Sequence, residues 1–387
     1  MSSSVSKASV DVPVDANWQS SAWRSRVRRR LLDWFADAAR TLPWRSDPQP
    51  YHVWVSEIMC QQTQVATVLP YFARFMKAYP RVADLADARE SDLMKLWEGL
   101  GYYRRARSLH AAAKQIVARH DGVFPTDFDD VMALPGIGRY TAGAILSISA
   151  NRRVPILEGN TQRVFSRWVA LRSPPTDPAA NRLLWTIAET MLPPERHAAA
   201  RGSGAFNQAA MELGALICKS KTPRCDQCPV ASLCAANRSA MQDDIPGKVT
   251  KITYENRDEF AFIIRDRRQR FVMRPAPAGG RWAGLWDFPR PLDPDVKNLQ
   301  SALAWLRQQF GPAFAAGTCL STIRHGVTKY RIRLTVHEAT VADENPSPEP
   351  RTPSVSPPWR FVSLSEMKDL PLSVTGRKIA RLLQSRA

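Results

Sequence analysis

Acidic charge, scattered cysteine and long apolar runs are all scarce in this chain of 387 residues, and each shortage excludes something. Asp and Glu number 36 against 54 Lys and Arg, giving a formal net charge of +18. That imbalance favours a polyanionic partner, through steering and counterion release. Charge alone, which can equally serve solubility, is weak support for nucleic acid. No uninterrupted apolar run reaches membrane length, so no membrane partner is expected and the chain reads as soluble. Of six cysteines, four fall between Cys218 and Cys234, which argues against a disulfide framework and fits a reducing cytoplasm. The first residues have neither the apolar core of a secretory signal nor the Arg-rich character of a transit peptide, and residues 1–22 read as a disordered tail. Strand-like alternation is nearly absent before residue 235, so a first domain over 23–235 is expected to be all-α.

The stretch LPGIGRYTAGAILSISANRRVPILEGN, Leu134 to Asn160, is the most informative. Gly136 and Gly138 permit a tight turn and leave backbone uncovered by side chains. A helix starting near Arg139 would then present N-terminal amides to an anion such as a nucleic-acid phosphate. Alternatively, Pro and Gly mark only a turn between packed helices. Glu158 follows in a short loop. Upstream, a segment over 51–68 sets Glu57 among Val55, Ile58 and Met59. Exposed carboxylates are the commoner case; the other possibility is a partly buried acid with a raised pKa. Gln61 and Gln62 are either an ordinary polar face or hydrogen-bonding groups for base edges. The sequence GLGYYRR, with Tyr102, breaks the helical pattern and suits stacking beside a phosphate track, or simply a helix junction.

Cys218, Cys225, Cys228 and Cys234 form a C-x6-C-x2-C-x5-C pattern. A thiolate site for a soft metal is the direct inference, and the spacing leaves zinc and iron–sulfur both open. Lys219, Lys221 and Arg224 lie between the first two ligands and could meet phosphates. Cys60 and Cys319 stand apart and read as ordinary buried residues.

Together, LPWR at 42–45, SEIMCQQTQVATV at 56–68, GLGYYRRAR at 99–107, LPGIGRYTAGAI at 134–145, the 206–218 run and the cysteine spacing resemble the helix-hairpin-helix DNA glycosylases with an iron–sulfur loop. The adenine DNA glycosylase (MutY) family is the nearest match, over about residues 25–375. The resemblance implies a [4Fe-4S] cluster on the four cysteines. It also implies a monomeric base-excision repair enzyme acting on double-stranded DNA with adenine opposite 8-oxoguanine or guanine. Such a protein is expected in the cytoplasm, nucleoid-associated if bacterial. By the same resemblance Glu57 protonates adenine, Glu158 stabilises the cationic sugar, and Tyr140 and Asn160 assist. Gln61, Gln62 and Tyr102 meet the duplex, as do Gly136 and Gly138. Related lyases carry Lys where this chain has Tyr140, which implies base excision without efficient strand cutting. The family usually has Asp where Glu158 stands; the longer arm admits an alternative, a lesion-binding protein that excises poorly. A zinc-binding DNA module is a third reading.

After a polar linker over 236–253, the pattern turns to short apolar runs with alternation at 330–336, and a helix is expected over about 296–310. This α+β region, 254–382, resembles the Nudix-like C-terminal domain of the same family. It lacks the acidic pyrophosphatase signature, which implies a module that inspects 8-oxoguanine. Its recognition turn corresponds to Val327-Thr328-Lys329, where Thr328 keeps a hydroxyl. A flexible insertion is expected over 340–357.

Overall fold

The computed structural model describes residues 14–195, 199–248, 253–277, 279–341 and 358–386. The chain forms two compact units, each built from two separated segments: Met1–Asp87 with Ser108–Thr250, and Ala88–Arg107 with Lys251–Ala387.

The described part of the first unit is helical. Its central helix, Ser203–Leu216, buries Phe206, Ala209, Ala210 and Leu213 at the three- and four-residue spacing of one face. Glycines let neighbours approach it closely. A Cβ on Gly204 would lie 2.2 Å from the Ser147 carbonyl oxygen, and one on Gly214 would lie 2.6 Å from Asn160 Cβ. The helix therefore packs directly on Arg139–Ala150, Gly159–Trp168 and Ser21–Ala38. Proline starts Pro50–Cys60, where its missing N–H costs nothing. Asp177 caps the helix Pro178–Met191 through the amides of Ala179 and Ala180.

The first unit departs from expectation at two places. The tail predicted to reach residue 22 is ordered from residue 14: Ala16–Gln19 is a 3-10 turn capped by Asp15, and Val14 and Trp18 pack on the helical core. Two apolar residues in a polar stretch are too few to show as periodicity. The linker predicted over 236–253 is partly core: Ile245 is buried, and its carbonyl accepts from the buried Arg167 Nε at 2.8 Å.

The second unit is built on two three-stranded sheets. Strands β1 (Glu255–Ile263), β5 (Tyr330–Val341) and β4 (Phe314–Val327) form one, in the order β1-β5-β4, with β1 parallel to β5 and β4 antiparallel to it. Strands β2 (Phe271–Pro275), β3 (Trp286–Asp287) and β6 (Arg360–Val362) form the other, in the order β3-β2-β6. The first sheet feeds two cores. Ile323, Ile332 and Leu334 share one with Ile379 and Leu383 of the helix Val374–Gln384. Phe260 and Phe262 share the other with Ala302 and Leu306 of Leu299–Phe310. This is the α+β arrangement the sequence predicts. Cys319, expected to be buried, is exposed, because β4 has register irregularities on both sides of it and it belongs to neither core. The predicted insertion lies, from residue 342 on, outside the described residues. No helix among the described residues is long and apolar enough to cross a membrane.

Candidate functional site

A cavity of about 920 Å³ opens in the helical unit and gathers six of the candidate residues. Glu57, Tyr140, Glu158, Asn160, Gln61 and Gln62 all line it. Four segments deliver them. Pro50–Cys60 presents Glu57 from its last turn, Gln61 and Gln62 follow that helix, Arg139–Ala150 presents Tyr140 from its first turn, and Glu158 caps Gly159–Trp168.

Glu57 is 7% exposed, so the buried-acid alternative is the one realised. Its Oε2 accepts a hydrogen bond from Tyr140 Oη at 2.6 Å. Burial, the largest influence, raises its pKa to about 7; Tyr140 and Arg45 oppose the rise, and Glu158 adds to it. Burial likewise keeps Tyr140 a phenol, well above its usual range, so it stays a donor. Near neutral pH the Glu57 carboxyl is poised to exchange a proton with a group in the cavity.

Glu158 bends back on its own helix. Its two oxygens accept from the amides of Asn160 (2.8 Å) and Thr161 (2.9 Å), while its own amide donates to Thr161 Oγ1 at 2.8 Å. The reciprocal pattern is a capping box. Burial raises the Glu158 pKa, and the amides and Arg163 work against that rise. Glu158 thus serves as the cap of Gly159–Trp168. Asn160 Oδ1 accepts from Arg163 Nη2 at 2.8 Å, which orients its side chain.

Glu212, Arg40 and Arg45 line the same cavity and do not stand out in the sequence. Arg40 grips both oxygens of the buried Glu212 at 2.7 Å each, and Arg45 Nη2 reaches Oε2 at 2.9 Å. Burial would raise this carboxyl, yet the two guanidinium groups hold it near 2. A glutamate inside the otherwise apolar run Ala209 to Ile217 was the available signal. Cys60, expected to be plain core, is half-buried and also lines the cavity.

The other candidates do not reach this cavity. Gly136 takes φ +79°, and a Cβ there would sit 2.5 Å from Ser108 Cβ. Gly138 caps Arg139–Ala150 with extended backbone and open space beside it, leaving that helix end uncovered. Tyr102 and Thr328 belong to the second unit. Thr328 sits in the β4–β5 turn. Gln62, Tyr102 and Thr328 all hold left-handed backbone, with φ of 55°, 47° and 51°.

Cys218, Cys225, Cys228 and Cys234 line a separate cavity with Arg167 and Arg224. Arg167 Nη1 points at Cys218 Sγ (3.3 Å). Among the described residues no group of three or more His, Cys, Asp or Glu side chains is placed to hold a metal ion. Four thiols around one cavity are a donor set for a thiolate-bound metal centre.

Residues 55–190 match the family described as HhH-GPD superfamily base excision DNA repair protein, and residues 260–382 match the NUDIX domain. An adenine DNA glycosylase of Buchnera aphidicola subsp. Acyrthosiphon pisum is 36% identical over 280 residues, covering 72% of this chain and 77% of the relative. Those of Rattus norvegicus and Homo sapiens are 32% and 31% identical, each over 92% of this chain and over 78% and 74% of the relative.

Proposed function

Since the chain belongs to the adenine DNA glycosylase family of base-excision repair proteins, we propose that it hydrolyses the N-glycosidic bond of adenine mispaired with 8-oxoguanine or guanine in double-stranded DNA. The observation that carries this reading is the pairing of Glu57 and Glu158 in one cavity, one carboxyl near neutral pKa and one fixed by amides. A base stacked in a duplex has to leave the helix before it can enter such a cavity. Glu57 then protonates the adenine ring and makes it a better leaving group. Glu158 supplies negative charge beside the sugar as it acquires oxocarbenium character. Tyr140 holds Glu57 by its hydrogen bond, and Asn160 borders the same space. Tyr140 cannot act as an amine nucleophile, so no Schiff base forms at that position and the reaction ends at an abasic site.

Gln61, Gln62 and Tyr102 meet the duplex, and the Gly136–Gly138 turn with the bare helix end after it receives a phosphate. Thr328 reads the oxidised base from the β4–β5 turn. The four cysteines fit a [4Fe-4S] cluster, which when bound cross-links their loop and supplies a redox-active iron centre. The fit predicts a brown protein absorbing near roughly 410 nm; a colourless protein with stoichiometric zinc would favour the zinc module. No observation favours the lesion-binding alternative.

The test is single-turnover excision on a duplex with adenine opposite 8-oxoguanine, developed with alkali. Wild type and Glu158→Asp are expected to excise, since Asp is also a good helix cap. Glu57→Gln and Glu158→Gln are expected to lose at least about a hundredfold. Full activity in either Gln variant would remove that carboxyl from the reaction.

A further inference from the structure

We propose that the ion pair between Glu98 and Arg377 positions Tyr102 against DNA, so that the C-terminal unit holds a residue at the duplex interface. The inference rests on the assignment of Tyr102 to that interface.

Glu98 precedes the turn that carries Tyr102, and both belong to the segment Ala88–Arg107, which packs with Lys251–Ala387 as one unit. Arg377 lies in the first turn of Val374–Gln384. Its Nε and Nη2 meet the two oxygens of Glu98 at 2.6 and 2.7 Å, a bidentate fork. The same guanidinium donates to the carbonyls of Met367 (2.8 Å) and Leu370 (2.9 Å). Glu98 also accepts from the amide of Leu372 at 3.3 Å. One arginine thus ties the approach to Tyr102 to the 367–372 strap, and that strap is itself fixed to β3 by the bond from the Trp286 amide to the Pro371 carbonyl (2.8 Å).

Both side chains of the fork are about one-fifth exposed or less, at 20% and 17%. Neighbouring Lys95–Asp369 is largely exposed at 44% and 81% and contributes little. Beyond Glu98 the turn is braced by Tyr103 Oη, which donates to the Leu372 carbonyl oxygen at 3.4 Å, and by short-range contacts. Trp97 Nε1 donates to the Gly101 carbonyl oxygen at 3.1 Å, and the Arg105 guanidinium lies 5.6 Å from the Trp97 ring and 5.4 Å from the Tyr102 ring. Gly99, Gly101 and Tyr102 all have positive φ, and Tyr102 is 53% exposed. A strained turn presenting an exposed ring depends on its anchors. Glu98 is the anchor that reaches furthest along the chain.

Full-length protein would be titrated against a duplex carrying 8-oxoguanine opposite a 2′-fluorinated, non-cleavable adenosine, with Arg377→Met placed in wild-type and Tyr102→Ala backgrounds. The Kd is expected to rise about tenfold in the first background and less than about twofold in the second, the non-additivity of residues acting through one another. An equal loss in both backgrounds would overturn the inference, since Arg377 would then act without Tyr102. Should Arg377→Met fail to fold, Arg377→Lys, which keeps the charge but loses the fork, is read in the same cycle and is expected to show a smaller loss with the same dependence on Tyr102. Asp369→Asn is expected to bind as wild type. If Tyr102→Ala alone leaves Kd unchanged, the assignment of Tyr102 to the interface fails, and the inference falls with it by a route distinct from failure of the cycle.

Discussion

At Glu57, burial and hydrogen bonding pull in opposite directions, and burial wins. The carboxyl titrates near 7 when folded, against 4.5 in the unfolded chain. The folded state therefore holds a proton that the unfolded state releases across this window. Stability falls as pH rises from 4.5 through about 7, and the penalty is complete above that, at about 3 kcal/mol. Glu57→Gln keeps an acceptor for Tyr140 and removes the ionisable group. It is expected to unfold at a higher temperature than wild type at pH 8 and at the same temperature near pH 4, as followed by calorimetry. Glu212 shows the opposite sign: held near 2 by Arg40 and Arg45, it contributes stability that is lost as pH falls below 4.5 toward 2. Two buried glutamates in one cavity are thus distinguished by what faces them. The sequence carried only half of that contrast. Glu57 stood out because its neighbours are apolar and its surrounding block is distinctive. Glu212 did not, because its partners lie 172 and 167 positions away in the chain.

The turn before Arg139–Ala150 separates two uses of glycine within three residues. Gly136 is required by the fold, for its φ of +79° and for the 2.5 Å approach to Ser108. Gly138 has extended backbone, and nothing lies within 4 Å of the point where a methyl would project, so the fold does not require it. Gly136→Ala is expected to lower stability by about 1–3 kcal/mol, as read from denaturant unfolding. Gly138→Ala is expected to leave thermal unfolding unchanged and to weaken binding to any duplex, lesion or not, because a methyl would shield the helix end. Equal binding by Gly138→Ala and wild type would remove the phosphate from that site. Elements of this kind were readable: the hairpin, the helix Ser203–Leu216 and the strand through Tyr330 follow local periodicity or turn chemistry. Strand β4 was not, because small and polar residues such as Ala316, Gly317 and Thr318 interrupt its alternation and its irregular register shifts the inward face.

Across the whole molecule, two folding units were legible from the change of period near residue 254, but their membership was not. Nothing local distinguishes residues 88–107 from the helices on either side, and it is long-range pairing, such as Glu98 with Arg377, Tyr103 with Leu372, Lys95 with Asp369 and Glu90–Arg107 beside Gly284, that shows where they belong. The chain accordingly crosses from one unit to the other three times, at 87–88, 107–108 and 250–251. This interleaving limits modularity. A recombination event or a designed chimera that exchanges only the segment after Thr250 replaces one side of a matched surface and leaves the other behind. An exchange between relatives that keeps these contacts has to move two separated blocks together, as a pair of segments and not as a detachable cassette.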